Sequence, residues 1–258
     1  RDRRKKKGGI ISTVILIVAI CVFAFSAFQL YKIFNGYHKG ESEYDDLVKL
    51  AVTEDKGEQE NGTDDQDGSR FSVDFDALRQ INPDVVAWIR FDEPAVINYP
   101  VVQGSDNSEY LSKTFKGYDN TVGTIFVNAY NHADFNDRNT IIYGHYMYNG
   151  TMFNELEQYH EKSFWEKYPS FYIYTPDGKV RMYKVFAASV VKDTSDAYNL
   201  TYNSDEEFES YLNLCRESSN YQVDVEVNAQ SQIVSLSTCT NVKEDERFLL
   251  QGVLAGEY

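Results

Sequence analysis

Eight short runs rich in β-branched and aromatic residues recur along the second two-thirds of the chain, at 85–91, 95–102, 122–128, 140–144, 171–175, 180–191, 232–238 and 248–255. Runs of this length and composition, separated by turn-forming segments such as Asn82-Pro83-Asp84, read as strands. Pro176-Asp177-Gly178 between two of them is a hairpin signal. The chain carries 20 Tyr and 16 Phe, side chains that suit a pleated surface and fill a wide core. Many short strands with few helices between them predict a mainly β domain closed into a barrel or folded as a sandwich.

Helical signals are few and local. Ser204-Asp205-Glu206-Glu207 is a capping box, with Ser204 as cap and Glu207 three residues on. Phe208, Tyr211, Leu212 and Cys215 then recur at helical spacing, which makes Cys215 an inert core residue. Residues 151–168 hold one or two further helices, with Met152, Phe153, Leu156 and Tyr159 facing inward. Residues 71–78 start a short helix ahead of the first long strand.

The N-terminal part sets an expected compartment. Residues 1–7 carry six cations and one acid, and the 21 residues from Ile10 to Leu30 carry no charge. About 20 apolar residues cross a bilayer as a helix, and flanking cations stay on the cytoplasmic side. A cleavable signal peptide has an apolar region of only ~7–15 residues, and Phe25-Ser26-Ala27 is a weak cleavage site. Val18-Ala19-Ile20-Cys21 is a poor lipidation box, since Ile20 is large where a small residue is needed and the apolar run continues past Cys21. The expectation is a cytoplasmic tail at 1–9, a retained transmembrane anchor at 10–31, a helix and flexible stalk at 32–70, and an extracytoplasmic domain at 71–258. Within the third part, residues 41–49 read as helix, with Tyr44, Leu47, Val48 and the following Ala51 on one stripe, and the polar stretch 53–69 has nothing to bury. Beyond residue 35 the chain holds 18 cations against 39 acids, a net charge of −21. Phosphate binding needs clustered cations, so nucleic acid is excluded as a partner. The acidic surface keeps the domain soluble and suits an amine-bearing partner.

Three residues point to thiol chemistry. The run Ile233-Val234-Ser235-Leu236-Ser237-Thr238 ends in Cys239, and Arg247 follows eight residues later before Phe248-Leu249-Leu250. As a hairpin, these strands put a thiol beside a permanent cation. A third run, Thr140-Ile141-Ile142-Tyr143-Gly144, ends in His145. A secreted domain built on disulfides carries an even set of cysteines. The anchor takes Cys21 and a core helix takes Cys215, which leaves Cys239 as an unpaired thiol at a strand end, with a Cys215–Cys239 bridge as the plainer alternative. Taken singly, each residue has a plainer reading. Cys239 could be a small buried hydrophobe, and Arg247 could pair with Glu244, Asp245 or Glu246. The remaining histidines, His38, His132 and His160, lie in polar segments and read as solvated surface residues.

In order and spacing, four segments together resemble the sortases, the membrane-anchored cysteine transpeptidases of Gram-positive bacteria. They are Val86-Ala87-Trp88-Ile89 leading to Ile97-Asn98-Tyr99-Pro100-Val101-Val102-Gln103; Thr140 to His145; Leu236-Ser237-Thr238-Cys239; and Arg247 before the last strand. Gly104 to Leu111, Thr151-Met152-Phe153 and the capped helix before the cysteine strand resemble class B in particular. The resemblance implies an eight-stranded β-barrel with N-terminal helices and a helix inserted before the cysteine strand. It implies Cys239 as nucleophile, His145 as general acid and base, and Arg247 as oxyanion stabiliser. Asn107, Leu111, Tyr143, Tyr198, Ser237 and Thr238 would line a groove for the sorting-signal peptide of a secreted protein. Cleavage between Thr and Gly would form a thioacyl-enzyme, which a cell-wall amine would resolve. Some relatives carry an acid where this chain has Asn241, so no accessory carboxylate is expected there. No cofactor or metal is expected, since the chain has no metal-spaced His/Cys set and no phosphate loop. Two other readings stay open: another cell-wall thiol enzyme such as an L,D-transpeptidase, whose Ser-His-Gly signature Leu236-Ser237-Thr238 does not match, and a non-enzymatic tethered β-domain.

Overall fold

The computed structural model describes residues 2–54, 71–92, 97–240 and 242–258. Most of the expected stalk, the start of the second expected strand at 95–96, and Asn241 lie outside the described residues. A long helix α1 (Asp2–Ala51) leads into β1 (Val52–Glu54), β2 (Phe71–Val73) and α2 (Phe75–Ile81). Eight further strands follow: β3 (Val85–Phe91), β4 (Ile97–Val102), β5 (Ile125–Val127), β6 (Asn139–Tyr143), β7 (Ser170–Tyr174), β8 (Val180–Lys192), β9 (Ile233–Cys239) and β10 (Glu246–Glu257). These eight close into a barrel in the order β10-β8-β7-β3-β4-β5-β6-β9. Closure leaves no unpaired strand edge. Each of the eight expected runs supplies one strand, and the barrel, not the sandwich, is formed.

Two neighbouring pairs, β4–β5 and β6–β9, run parallel; the rest are antiparallel. A parallel pair needs a long crossover, and both crossovers carry site residues. The first, residues 103–124, holds a 3-10 turn at Glu109–Leu111. The second, residues 144–232, holds a 3-10 helix at Asn154–His160, the short α3 (Lys162–Trp165), β7, β8 and α4 (Asp205–Ser218). Trp88, Val101, Ile125, Phe126, Ile142, Phe171, Leu236 and Leu250 belong to the main core, all almost fully buried. Burial of such side chains contributes roughly 1.5–3 kcal/mol each. Met152, Phe153, Leu156 and Tyr159 join that core, as their spacing predicts.

A second, smaller core lies under α4, where Phe208, Tyr211, Leu212 and Cys215 pack on Phe186, Ala187, Ile233 and Val253. Ser204 caps α4, its side chain accepting from Glu207 N at 3.2 Å. The return half of the capping box is displaced by one residue. The Glu207 carboxylate accepts from the backbone and side-chain nitrogens of Asn203, at 2.7 and 2.9 Å.

The N-terminal region departs from expectation in two ways. The segments expected as anchor and following helix are one uninterrupted helix, because no proline breaks 2–51 and the helical hydrogen bonds run on. Its apolar part, residues 11–33, is exposed all round, and Ile11–Ala51 is long and apolar enough to cross a membrane. Its last turns are docked: Tyr44, Leu47 and Ala51 lie in the main core. Close approach is possible because residue 40 is glycine; a Cβ there would come within 2.9 Å of Val122 Cγ2. The second departure is at the expected stalk. Val52–Glu54 pairs antiparallel with Phe71–Val73, Val52 opposite Val73, so both ends of the polar stretch are tied to the folded unit. Phe71–Val73 is accordingly strand, and the helix begins only after Asp74, whose side chain accepts from Ala77 N at 2.9 Å.

Leu47 is 1% exposed, so Leu47→Ala should destabilise the folded unit by about 2–5 kcal/mol. Ile15→Ala, on the exposed part of α1, should leave the unfolding midpoint unchanged; Trp fluorescence in urea, in detergent, measures both.

Candidate active site

In the β9–β10 ladder Arg247 stands directly opposite Cys239, followed by Phe248 opposite Thr238 and Leu249 opposite Ser237. On the other side of β9, Tyr143 of β6 is level with Ser237. Gly144 N donates to Ser237 O at 3.1 Å, carrying the pairing one step past the strand. His145 and Cys239 each lie two residues beyond that matched pair. Neighbouring strands lie about 4.8 Å apart. Cys239, His145 and Arg247 therefore sit at three adjacent strand ends at one mouth of the barrel.

The imidazole is held by the first crossover. His145 Nε2 lies 2.7 Å from the carbonyl oxygen of Leu111. A carbonyl only accepts, so Nε2 carries a hydrogen and Nδ1 is the nitrogen that can gain or lose a proton. Beneath the ring lies Gly123, with φ +62°; a Cβ there would sit 2.9 Å from His145 Cδ2 and 2.7 Å from the Tyr110 carbonyl oxygen. Gly123 is fixed from behind by α1, since Tyr44 Oη donates to its carbonyl oxygen at 2.5 Å. Burial raises the Tyr44 phenol above its ordinary pKa and keeps it a donor.

Arg247 is held by backbone. Its Nη1 donates to the carbonyl oxygens of Glu244 and Glu246, at 2.7 and 2.9 Å, and Nη2 lies 3.5 Å from the Asp193 carboxylate. Among the described residues the neighbouring acids pair elsewhere, Asp245 with Lys192 and Glu246 with Lys243. The local ion pair that sequence alone leaves open is thus replaced by a partner 54 positions away. Asp193 carries no sequence signal that would have singled it out.

Alternation along β9 puts Ser235, Ser237 and Cys239 on one face. Tyr198 covers that face, its hydroxyl 2.8 Å from Ser237 Oγ; burial pushes the Tyr198 phenol up to about 12, so it stays neutral. The turn bearing Tyr198 is tied to the barrel by a buried polar network. Tyr211 Oη donates to Ala197 O at 2.9 Å, Asn139 Nδ2 to Asn199 O at 3.0 Å, and Gln251 Nε2 to Tyr211 Oη at 3.1 Å. Asn107 reaches the same region through Asn128. Asn107 Oδ1 accepts from Ala129 N at 2.7 Å, Asn107 Nδ2 lies 3.3 Å from Asn128 Oδ1, and Asn128 Nδ2 donates to Tyr143 Oη at 3.0 Å. Asn128 is a buried link that strand periodicity did not reveal. The loop holding Asn107 is set by Asp106, whose carboxylate accepts from Ser108 N and Glu109 N at 2.7 and 2.9 Å. Leu111 is 44% exposed beside His145, so its side chain is open to a ligand while its carbonyl holds the imidazole.

Two sequence expectations change. Thr238 points to the face of β9 opposite Ser237, because successive strand residues alternate; it lines a cavity with Phe248 and Cys239. His160 is not a plain surface residue: its ring lies over Phe248 at 4.4 Å between centroids, and Nδ1 meets Asn220 Nδ2 at 3.0 Å. His132 is exposed, 2.7 Å from Asp137, and that carboxylate raises its pKa. Cys215 is buried with its thiol pushed up by desolvation, and all three cysteines are free. Among the described residues, no group of three or more His, Cys, Asp or Glu is placed to hold a metal ion.

Residues 92–255 match the family model of the sortase domain. Sortase B of Listeria monocytogenes is 31% identical over 243 residues, 92% of this chain and 94% of that protein. Among solved structures, a Staphylococcus aureus sortase B–substrate complex superposes with a TM-score of 0.66 at 30% identity, covering 70% of this chain and 84% of that one. Sortase B from B. anthracis superposes with a TM-score of 0.72 at 29% identity, covering 87% of this chain and all of that one.

Two outcomes follow from the geometry. Iodoacetamide should label Cys239 in the folded protein and Cys215 only after denaturation, as read by peptide mass spectrometry. Gly123→Ala forces a strained backbone costing roughly 1–3 kcal/mol and pushes on the imidazole; the His145 ring resonances should shift in NMR spectra, with the barrel still folded.

Proposed function

The chain belongs to the sortase family, a family of cysteine transpeptidases of surface proteins, and on that footing we propose the residues and substrates through which it acts. Cys239 is the nucleophile: as thiolate it attacks a peptide carbonyl and forms a thioacyl-enzyme. His145 is the general acid and base, working through Nδ1 while the Leu111 carbonyl holds Nε2. It protonates the leaving amine and later takes a proton from the incoming one. Arg247 stabilises the oxyanion and orients the peptide; a guanidinium is charged at every relevant pH and donates in a fixed fork. The observation that carries this reading is the register, with Arg247 opposite Cys239 and the β6 strand running parallel to β9 into His145.

The substrate is the C-terminal sorting signal of a secreted protein, cut at a Thr-Gly bond. It lies on the face walled by Asn107, Leu111, Tyr143, Tyr198 and Ser237. The acceptor is an amine of the cell wall or its precursor. The helix spans the membrane through residues 10–31, with the basic tail 1–9 in the cytoplasm and the barrel outside. The apolar surface of α1 and the cations before it support that topology. Because α1 runs unbroken into the barrel core, the anchor fixes the catalytic mouth relative to the bilayer.

A peptide-library cleavage assay with and without added triglycine, read by mass spectrometry, tests the reaction. Wild type should give an amine-joined product and a thioester adduct on Cys239. Cys239→Ala should give neither, and equal activity in that variant removes the enzyme reading. Arg247→Ala should lower turnover about 10²–10³-fold, the usual cost of one oxyanion donor.

A further inference from the structure

Gly36, Gly40 and Tyr44, spaced four apart and so on one face of α1, meet one stretch of the first crossover in step. Gly36 O accepts from Asn120 Nδ2 at 2.9 Å, Gly40 packs on Val122, and Tyr44 reaches Gly123 and Thr124. The Tyr44 hydroxyl donates to the Gly123 carbonyl oxygen at 2.5 Å and lies 3.1 Å from Thr124 Oγ1. Tyr44 and Thr124 are both buried, so these contacts are shielded from water. Thr124 in turn pins the turn that carries Leu111. Its backbone N donates to Tyr110 O at 3.0 Å, and its Oγ1 donates to Lys113 O at 2.7 Å. The Leu111 carbonyl, between those two points, holds His145 Nε2. One hydroxyl on α1 thus grips the glycine beneath the imidazole and the threonine that fixes the carbonyl bonded to it. A second line of contacts leaves the same side chain. The Tyr44 ring meets the Tyr99 ring edge-on, 5.4 Å between centroids. Tyr99 Oη accepts from Met152 N at 3.2 Å; Met152 has φ +57°, the left-handed region that residues with a Cβ rarely adopt. The next donor, Phe153 N, bonds the carbonyl oxygen of His145 at 3.0 Å.

We propose that Tyr44 is a positioning residue for the reaction: from outside the barrel it holds the His145 imidazole in the orientation and tautomer that leave Nδ1 free for proton transfer. The proposal rests on the reading of His145 as general acid and base. Tyr44 touches no reacting atom and acts through Gly123, Thr124 and Leu111. Without its hydroxyl, Gly123 and Thr124 lose their tie to α1, and the turn at Glu109–Leu111 is free to shift from the ring. Once the Leu111 carbonyl no longer fixes the hydrogen on Nε2, the neutral ring also carries it on Nδ1, where it blocks proton uptake. A misplacement of about 1 Å caused far from the chemistry can cost about 10²-fold in rate. Peptide binding is held separately, since the network under α4 fixes Tyr198 against Ser237. The hydroxyl therefore governs turnover and not affinity for the peptide. Because Tyr44 lies on the helix that carries the apolar segment, docking of that helix is a condition of catalysis as well as of stability.

The test uses the full chain in detergent, the peptide selected by the library assay and saturating triglycine, below the unfolding transition of every variant. Tyr44→Phe keeps the ring and removes the hydroxyl; Thr124→Val removes the hydroxyl at the other end of the tie. Each should lower kcat about tenfold and leave the peptide KM unchanged. NMR of the protein labelled with 15N-histidine supplies a readout that needs no turnover. Neutral His145 of the wild type should carry its hydrogen on Nε2, and both variants should show a mixture of the two tautomers. Leu47→Ala, which removes core packing from the same helix, should be the least stable of the three variants yet keep the wild-type kcat and tautomer. Wild-type kcat in Tyr44→Phe overturns the proposal, as does a lowered kcat with the His145 tautomer unchanged or an equal loss of kcat in Leu47→Ala. His145→Asn with wild-type turnover removes the acid–base reading itself, whatever the Tyr44 variant does.

Discussion

Parallel pairing of β6 with β9 sends two strand ends, far apart in the chain, to the same mouth of the barrel, and the candidate chemistry depends on it. An antiparallel neighbour would have carried His145 to the opposite end. The antiparallel turn into β10 then returns Arg247 to the level of Cys239. Register is strict because β9 is buried along almost its whole length. A slip of one residue would exchange Ser235, Ser237 and Cys239 with Val234, Leu236 and Thr238 between the core and the outer face. The apolar packing that stabilises the barrel thereby sets the position of the polar site.

The strand ends alone do not orient the side chains. Different parts of the chain brace them: His145 is held by the Leu111 carbonyl of the first crossover, Arg247 by backbone carbonyls of its own turn, and the nearby Tyr198 turn by the network under α4. The brace on His145 extends outward through Gly123 to Tyr44 of α1. The helix that carries the apolar segment therefore touches the layer directly behind the imidazole.

The strand runs, the Ser204 cap, the inward stripe of α4 and the trio His145, Cys239 and Arg247 were all legible in the sequence, because each is a local pattern or an ordered motif. The continuity of α1 was not. Its two halves carry different polar patterns, and the close approach of Gly40 to Val122 accompanies the docking of Tyr44, Leu47 and Ala51 in the core. The pairing of Val52–Glu54 with Phe71–Val73 was hidden, since three residues are too few to show alternation. Asp193 beside Arg247, Asn128 between Asn107 and Tyr143, and His160 over Phe248 are long-range contacts with no local signature.

What the sequence determined by itself was the eight barrel strands, the start of α4, the long apolar helix and the residue types able to perform thiol chemistry, since these follow from side-chain periodicity and intrinsic reactivity. Which face each of those residues presents was decided only by the closed barrel. Thr238 and Ser237 are neighbours in the chain, yet the pleat sends one to a small cavity and the other to the face covered by Tyr198. That choice depends on strand register, which is fixed by the packing of residues remote in sequence.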